Sequence, residues 1–309
     1  MNKSSHNFTR LHGYSSTFKY HVAAFLSVTA WGAAFIFTKI LLKDGLTPVE
    51  IYVYRFVLAY LCVLCICPKP FFSQSLSDEI KFLLIGMCGG SIYFIAENTA
   101  MKYTLVTNVS LIVTTAPLIS TLFLGLLYKS ERPSRGLIFG SVIAFLGVAC
   151  VIFNSSFEIQ VNPLGDMLAL LAAFCWAVYT ILLKPINAVY SAWFITRKTF
   201  FYGVMTALPL LAVEPTMTGL DVLMKTEVWG NLVLLGLIPS LLAYVFWSES
   251  IKGLGVIVAG NYLYVSPIVT LVMSAIILDE TVSWIGYTGC AMILLGLFIS
   301  EKLKSNRKY

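Results

Sequence analysis

The chain has 309 residues, of which 58% are hydrophobic and 12% charged, with a mean hydropathy of +0.84 and a formal net charge of +6. A soluble domain carries about 25% charged residues, so this chain cannot cover a water-facing surface and reads as an integral membrane protein. Its apolar stretches are continuous and near the length of about 20 residues that a spanning helix needs. That excludes a barrel, whose strands alternate in and out over about 10 residues.

Residues 1–20 are polar and basic (Lys3, Arg10, Lys19) and lack an apolar core, so they read as a cytoplasmic tail, not a signal peptide. Ten spans follow, at 21–42, 49–67, 80–100, 106–128, 136–153, 164–183, 192–212, 230–249, 255–277 and 283–301. Breakers separate them: Asp44-Gly45, Pro68 and Pro70, Pro133, Asn162-Pro163, Pro185, Pro215, and Gly253 with Gly255. A basic tail, 302–309, closes the chain. With the N-terminus inside, the tails and alternate connections hold 14 Lys or Arg and the opposite side three, Lys43, Lys102 and Lys225. Cytoplasmic loops are enriched in these residues, which predicts both termini in the cytoplasm of a cell whose inner membrane holds the protein. The seven cysteines lie in or beside spans and read as small buried hydrophobes. Cys62-x-x-Cys65 has no second ligand pair, so neither a metal nor a cofactor is expected.

The chain says nearly the same thing twice. Thr107 to Pro133 is an apolar span with Pro117 inside it and a charged turn containing Glu131 after it. Ile257 to Val282 repeats this with Pro267 and Glu280, offsets of 150 and 149. A proline in mid-helix removes a donor and kinks or breaks the helix. Trp31 is followed eight residues later by Lys39, and Trp176 likewise by Lys184; Arg55 answers to Arg197 and Lys102 to Lys252. Gly140 and Gly147 answer to Gly289 and Gly296. The predicted fold is therefore all-α, two five-helix repeats at 21–155 and 164–301. Five spans per repeat force the halves to cross the membrane in opposite senses, and inverted repeats are characteristic of transporters.

These motifs resemble the EamA-type ten-helix exporters of the drug/metabolite transporter superfamily. The resemblance covers residues 21–301. It rests on Trp31 to Lys39 with Trp176 to Lys184, on Arg55-Phe56, on Ala100 to Thr104, and on the doubled proline-to-glutamate segment with its following glycine-rich helix. The second repeat departs at Arg197, which is followed by Lys198 where the first has Phe56. What the resemblance implies is a central cavity between the repeats, with the fifth and tenth helices as supports and as a homodimer surface. Its members move amino acids, metabolites or drugs outward, and distant relatives carry nucleotide-linked or phosphorylated sugars.

Ionisable groups inside spans are costly and are functional candidates by default. Lys39 and Lys184 lie about one turn from helix ends and either snorkel to headgroups or line a gate. Arg55 and Glu97 both fall toward the external side, which predicts an Arg55–Glu97 pair. Glu249 is expected to pair with Arg197 or Lys198. Glu97 and Glu249 are also the carboxylates through which protons would couple to export. Aromatic and amide side chains suit a small amphipathic solute: Trp31, Tyr93, Asn98, Asn108 and Tyr179 in one group, and Tyr244, Trp247, Asn261, Tyr262 and Tyr264 in another. Each serves equally well in helix packing. The carbonyls of Val113 and Leu263, freed by Pro117 and Pro267, are expected to face the cavity.

The expected protein is a transporter exporting a small metabolite by alternating access, partnered by its solute and the lipid bilayer and not by nucleic acid. The alternatives are a phosphorylated or nucleotide-linked sugar carrier, a non-transporting scaffold, or an intramembrane enzyme. The last would need a cluster of catalytic His or Asp, and none is visible.

Overall fold

The structure is a computed structural model and describes residues 5–103, 106–127, 133–152, 162–214, 217–277 and 283–305. Among them there is no strand. Glu131, Glu280 and their charged turns lie outside the described residues.

Helix α1 runs from Ser5 to Lys43, so the segment expected as a tail is helical from Ser5 and continuous with the first span. It stops at Gly45, whose φ of 100° favours a residue without Cβ. Helix α2 (Pro48–Ile66) starts in a capping box: Thr47 Oγ1 accepts from the Glu50 N–H at 3.2 Å, and Glu50 Oε2 accepts from the Thr47 N–H at 2.9 Å. Helix α3 (Leu76–Gly86), capped by Ser75, passes through a π segment, Met87–Ser91, into α4 (Ile92–Tyr103). Next come α5 (Val106–Val113), α6 (Ala116–Leu127) and α7 (Arg135–Ile152).

The second half begins with α8 (Pro163–Asn187), capped by Asn162, and α9 (Ala192–Ala212), capped by Ser191. A short α10 (Leu220–Leu223) precedes α11 (Thr226–Leu235), which continues through a second π segment, Gly236–Leu242, into α12 (Ala243–Leu254). Then α13 (Val256–Asn261), a 3₁₀ turn (Tyr262–Val265) and α14 (Ser266–Ile277) form one broken rod, and α15 (Trp284–Ser305) ends the described chain.

Seven stretches are long and apolar enough to cross a membrane: Thr17–Lys43, Pro48–Ile66, Leu76–Tyr103, Val109–Leu127, Pro163–Asn187, Thr226–Leu254 and Val256–Ile277. Arg135–Val151 and Trp284–Ser300 are shorter apolar helices. Helix α9, also expected to span, is not among the seven and carries Arg197 and Lys198 within its first two turns. Leu122, Leu126, Phe139, Leu294 and Phe298 are exposed on the outside of the bundle. So much apolar surface suits hydrocarbon and not water.

The internal repeat is written into the packing. Gly140 lies against Gly296, where a Cβ would stand 2.5 Å from the Gly296 carbonyl; Gly147 lies against Gly289, where it would stand 2.7 Å from that carbonyl. Because 140 corresponds to 289 and 147 to 296, this α7–α15 contact maps onto itself when the halves are exchanged. In the same way Gly86 lets α3 approach Tyr202 and Gly203 of α9, and Gly236 lets the matching rod approach Leu58 and the Arg55 carbonyl of α2. The helix caps set the register of the second helix of each repeat. Thr47 and Ser191 are 144 apart, so Phe56 corresponds to Phe200 and Arg55 to Thr199. The expected equivalence of Arg55 with Arg197 was therefore two residues out.

Two ends of the bundle can be distinguished. At one, the α1–α2 turn meets the link before α10: Glu50, fully buried, accepts from the Thr218 N–H at 2.8 Å and from its hydroxyl at 2.6 Å. Leu41, Leu46 and Ile51 pack there on Val228, Leu232 and Leu235. At the other end, the α2–α3 connection is tied to the start of α9. Arg197 donates to the carbonyls of Cys67 and Pro70, and Lys198 forms an ion pair with Glu79 at 2.8 Å. Tyr202 also donates to Glu79, and Tyr190 donates to Asp78 at 2.9 Å. Burial, aided by the Asp78 carboxylate, pushes the Tyr190 phenol above its ordinary value.

Candidate functional site

A cavity of about 770 Å³, counting the space at its mouth, lies between the two halves. Its walls come from the parts of α1, α2, α4, α5 and α6 nearest the α1–α2 end, with α8 and the broken α13–α14 rod completing it. Helix α1 contributes Trp31, Ala34, Phe35 and Thr38, spaced as one helical face. Helix α4 contributes Tyr93, Phe94, Glu97, Asn98 and Met101, again one face.

The floor is aromatic. Trp31 meets Trp176 edge to face with ring centroids 5.0 Å apart, and Trp247 and Tyr244 at 5.2 and 5.8 Å. Trp176 also packs on Tyr179 at 5.0 Å. Trp31 Nε1 donates to the Pro239 carbonyl at 2.8 Å, using a group exposed by the π segment. Beyond this floor Ser248 donates to Asn187 at 2.6 Å, and the Arg197 clasp closes the α2–α3 end. The cavity is thus blind, with its closed end toward the α2–α3 connection.

The charged wall is Arg55 with Glu97. Arg55 is 2% exposed and packs its guanidinium on Phe56 and Phe94, at 5.1 and 5.0 Å from the ring centroids. Its Nε donates to Ser240 Oγ at 2.9 Å, and Ser240 in turn donates to the Leu235 carbonyl at 2.8 Å, so α2 is pinned to the π segment of the other half. Arg55 Nη2 has no protein partner. Glu97, 5% exposed, accepts from the Tyr93 hydroxyl at 2.7 Å.

The expected Arg55–Glu97 ion pair does not form. The ion pairs among the described residues are Lys81–Asp78 and Lys198–Glu79. Ser240 and Tyr93 take the contacts instead, and both charges stay on one cavity wall. Glu249 pairs with neither Arg197 nor Lys198, because the α2–α3 connection already occupies both cations.

Of the expected solute contacts, Trp31, Tyr93 and Asn98 line the cavity. Tyr179, Tyr244 and Trp247 lie in or below its floor and are essentially fully buried; Tyr244 donates to the Gly89 carbonyl. Asn261 faces α7, accepting from Ser141 at 3.2 Å, and Tyr264 is buried among α7 and α15 side chains. Tyr262 reaches α1 near the start of its apolar stretch, its hydroxyl 2.7 Å from His21 Nδ1. The side chain of Asn108 lies outside the described residues. Lys39 and Lys184 are half-buried and do not line the cavity.

Pro117 and Pro267 each stand at the second residue of a new helix, α6 and α14, where a missing N–H costs least. Pro267 lines the cavity, as do Val113 and Leu263. Phe35, Thr38, Thr114 and Ser266 also line the cavity and are not among the expected residues. The spacing of Trp31, Phe35 and Thr38 was the signal that could have found the first two.

A helical bundle of two interlocked repeats around a blind, partly polar cavity defines a membrane transporter. The profile of the EamA-like transporter family matches residues 18–153 and 163–301, and the chain belongs to that family. It is 25% identical over 91% of its length to an uncharacterized transporter of Archaeoglobus fulgidus, covering 97% of that protein. It is also 25% identical to a probable terminal-alkyne amino-acid exporter of Streptantibioticus cattleyicolor, over 93% of this chain and 94% of the other. A probable amino-acid metabolite efflux pump of Escherichia coli is 23% identical over 90% and 93%. A crystal structure 19% identical to this chain superimposes with a TM-score of 0.76, covering 96% of this chain and 99% of that one, and shares its fold. Relatives named as transporters and exporters place the protein among transporters and not enzymes.

Proposed function

We propose that the protein is a ten-span exporter of a small amphipathic metabolite, of the amino-acid or drug-like class, working by alternating access in the cytoplasmic membrane. Both termini then face the cytoplasm, in keeping with the 14-to-three distribution of Lys and Arg. The blind cavity between the repeats supports this most directly. In that orientation it opens outward, and the Trp31–Trp176 floor with the Arg197 clasp seals the cytoplasmic side.

In the opposite state, the halves rock about the tryptophan pair, so that the clasp opens and Trp31, Phe35 and Thr38 close on α4 and α5. The breaks before Pro117 and Pro267 supply the bending points. A homodimer through α7 and α15 would use their outer faces, since their glycine faces are spent on each other. A sugar-phosphate carrier is disfavoured because Arg55 is the single cation among the cavity-lining residues.

The test is an untargeted metabolite comparison between overexpressing and deletion cells, followed by flux of the depleted solutes in reconstituted vesicles. The expected outcome is a defined set of small solutes retained by the deletion strain and moved by the purified protein. No protein-dependent flux of any solute would overturn the proposal.

A further inference from the structure

Arg55 and Glu97 present an arrangement that neither packing nor the inverted repeat requires. Both are nine-tenths buried or more, both line the same cavity, and they are not in salt-bridge contact. Each has one side fixed by the protein: Arg55 through Nε to Ser240, Glu97 through Oε1 from Tyr93. Each leaves the other side unused, since Arg55 Nη2 has no protein partner, and among the described residues no hydrogen bond reaches Glu97 Oε2.

A buried donor of a charged group left without a partner is strongly unfavourable unless something fills it. Their counterparts in the second repeat are Thr199, and Trp247 at the offset of 150 that relates the prolines. The first repeat alone therefore carries the charges, and two fold-stabilising positions would not need this asymmetry. The rest of the wall is apolar and aromatic: Phe35, Phe94, Met101, Trp176 and Leu263.

We infer that Arg55 and Glu97 are the two poles of a zwitterion site. Arg55 takes the α-carboxylate and Glu97 the α-ammonium of an amino acid whose apolar side chain lies against Phe35, Phe94 and Met101. Both interactions are charge-assisted hydrogen bonds in a low-dielectric wall, and a site built this way rejects a ligand lacking either group because its own charge is then left unpaired. The bond from Arg55 to Ser240 links the bound carboxylate to the π segment of the opposite half, so the solute touches both repeats through one side chain.

This inference rests on the transporter reading, and the experiment separates the two. The full-length protein is reconstituted into vesicles loaded with L-leucine, L-methionine and L-phenylalanine, and counterflow of each is compared with that of its amide and its N-acetyl derivative. The expected result is exchange of the free amino acids at least about tenfold faster than of either blocked form. Arg55→Gln and Glu97→Gln, checked for folding by size exclusion and melting, should each lose that exchange; Arg55→Lys should retain part of it. Glu97→Gln should shift preference toward the N-acetyl compound, a gain that a merely unstable variant cannot produce. If a variant fails to fold, the wild-type analogue series decides alone.

Blocked and free forms exchanging within about twofold would overturn the zwitterion site and leave the exporter standing. So would exchange of cell-extracted metabolites with none of the probes moving. Absence of all exchange would remove the exporter and the site together.

Discussion

Trp31 and Trp176 occupy the same position in the two repeats and touch each other, edge to face, at 5.0 Å between ring centroids. Phe56 and Phe200, a second corresponding pair, also meet at 5.0 Å. A residue can contact its own counterpart only near the axis that relates the halves, so these pairs mark that axis at the floor of the cavity. The pairing is not symmetric in its hydrogen bonds. Trp31 Nε1 reaches the Pro239 carbonyl, whereas Trp176 Nε1 has no partner and Tyr244 takes the Gly89 carbonyl that corresponds to it.

Trp31→Phe should keep the aromatic floor while losing one hydrogen bond, lowering stability by about 1 kcal/mol. Trp176→Ala removes a 5%-exposed indole at the centre of five ring contacts and should cost about 3–5 kcal/mol. Thermal unfolding of the purified variants in one detergent checks both, and equal shifts would contradict the floor described here.

The glycines divide into those that carry a helix contact and those that do not. A Cβ at Gly147 would stand 2.7 Å from the Gly289 carbonyl, whereas at Gly230 nothing lies within 4 Å. Gly147→Ala should destabilise by about 1–3 kcal/mol through overpacking. Gly230→Ala, inside α11, should stabilise by about 0.5–1 kcal/mol. The sign difference between the two melting shifts is the readout.

Lys198 and Glu79, with side chains 6% and 16% exposed, hold the α2–α3 connection against α9. Breaking a buried pair from one side strands the other charge, so Lys198→Ala should cost about 3–5 kcal/mol. Lys198→Met combined with Glu79→Leu should cost clearly less than the two single changes summed, since neither charge remains. A double-mutant cycle by chemical denaturation measures this coupling.

Pro117→Ala with Pro267→Ala restores backbone donors at the two breaks and favours continuous helices. Solute exchange should slow by about tenfold, a barrier increase of about 1.4 kcal/mol, with affinity for the outward-facing cavity little changed. Exchange at the wild-type rate would mean the breaks are incidental to the cycle.

The helix order, the doubled prolines and the glycine pairs were legible because hydrophobic runs and breakers are local signals that repeat at a fixed distance. Side-chain partners were not. Arg55 was matched to Glu97 by depth in the membrane, but depth does not fix azimuth, and the guanidinium turns to Ser240 on a helix of the other half. Asn261 and Tyr264 suit a solute by chemistry and by proximity to Pro267, yet the 3₁₀ turn at Tyr262–Val265 leaves them against helix neighbours. The π segments did have a signal: Gly86 and Gly89 recur as Gly236 and Pro239 at the 150-residue offset of the two prolines.

Those π segments have a consequence for sequence variation. Each holds one residue beyond an α-turn, which rotates everything after it by about 100° relative to an unbroken helix. Tyr93, Glu97 and Asn98 look into the cavity partly because of that extra residue between Gly86 and Ile92. Deleting Gly90 would remove the bulge together with its extra residue and leave those side chains on the same face, whereas an unbroken α-helix with every residue kept would turn them by one step and bring Ile92 and Ala96 toward the solute. Whether this one place holds a π or an α turn therefore selects which helix face meets the solute, and a single-residue deletion here keeps the face that a deletion elsewhere in α4 would turn away.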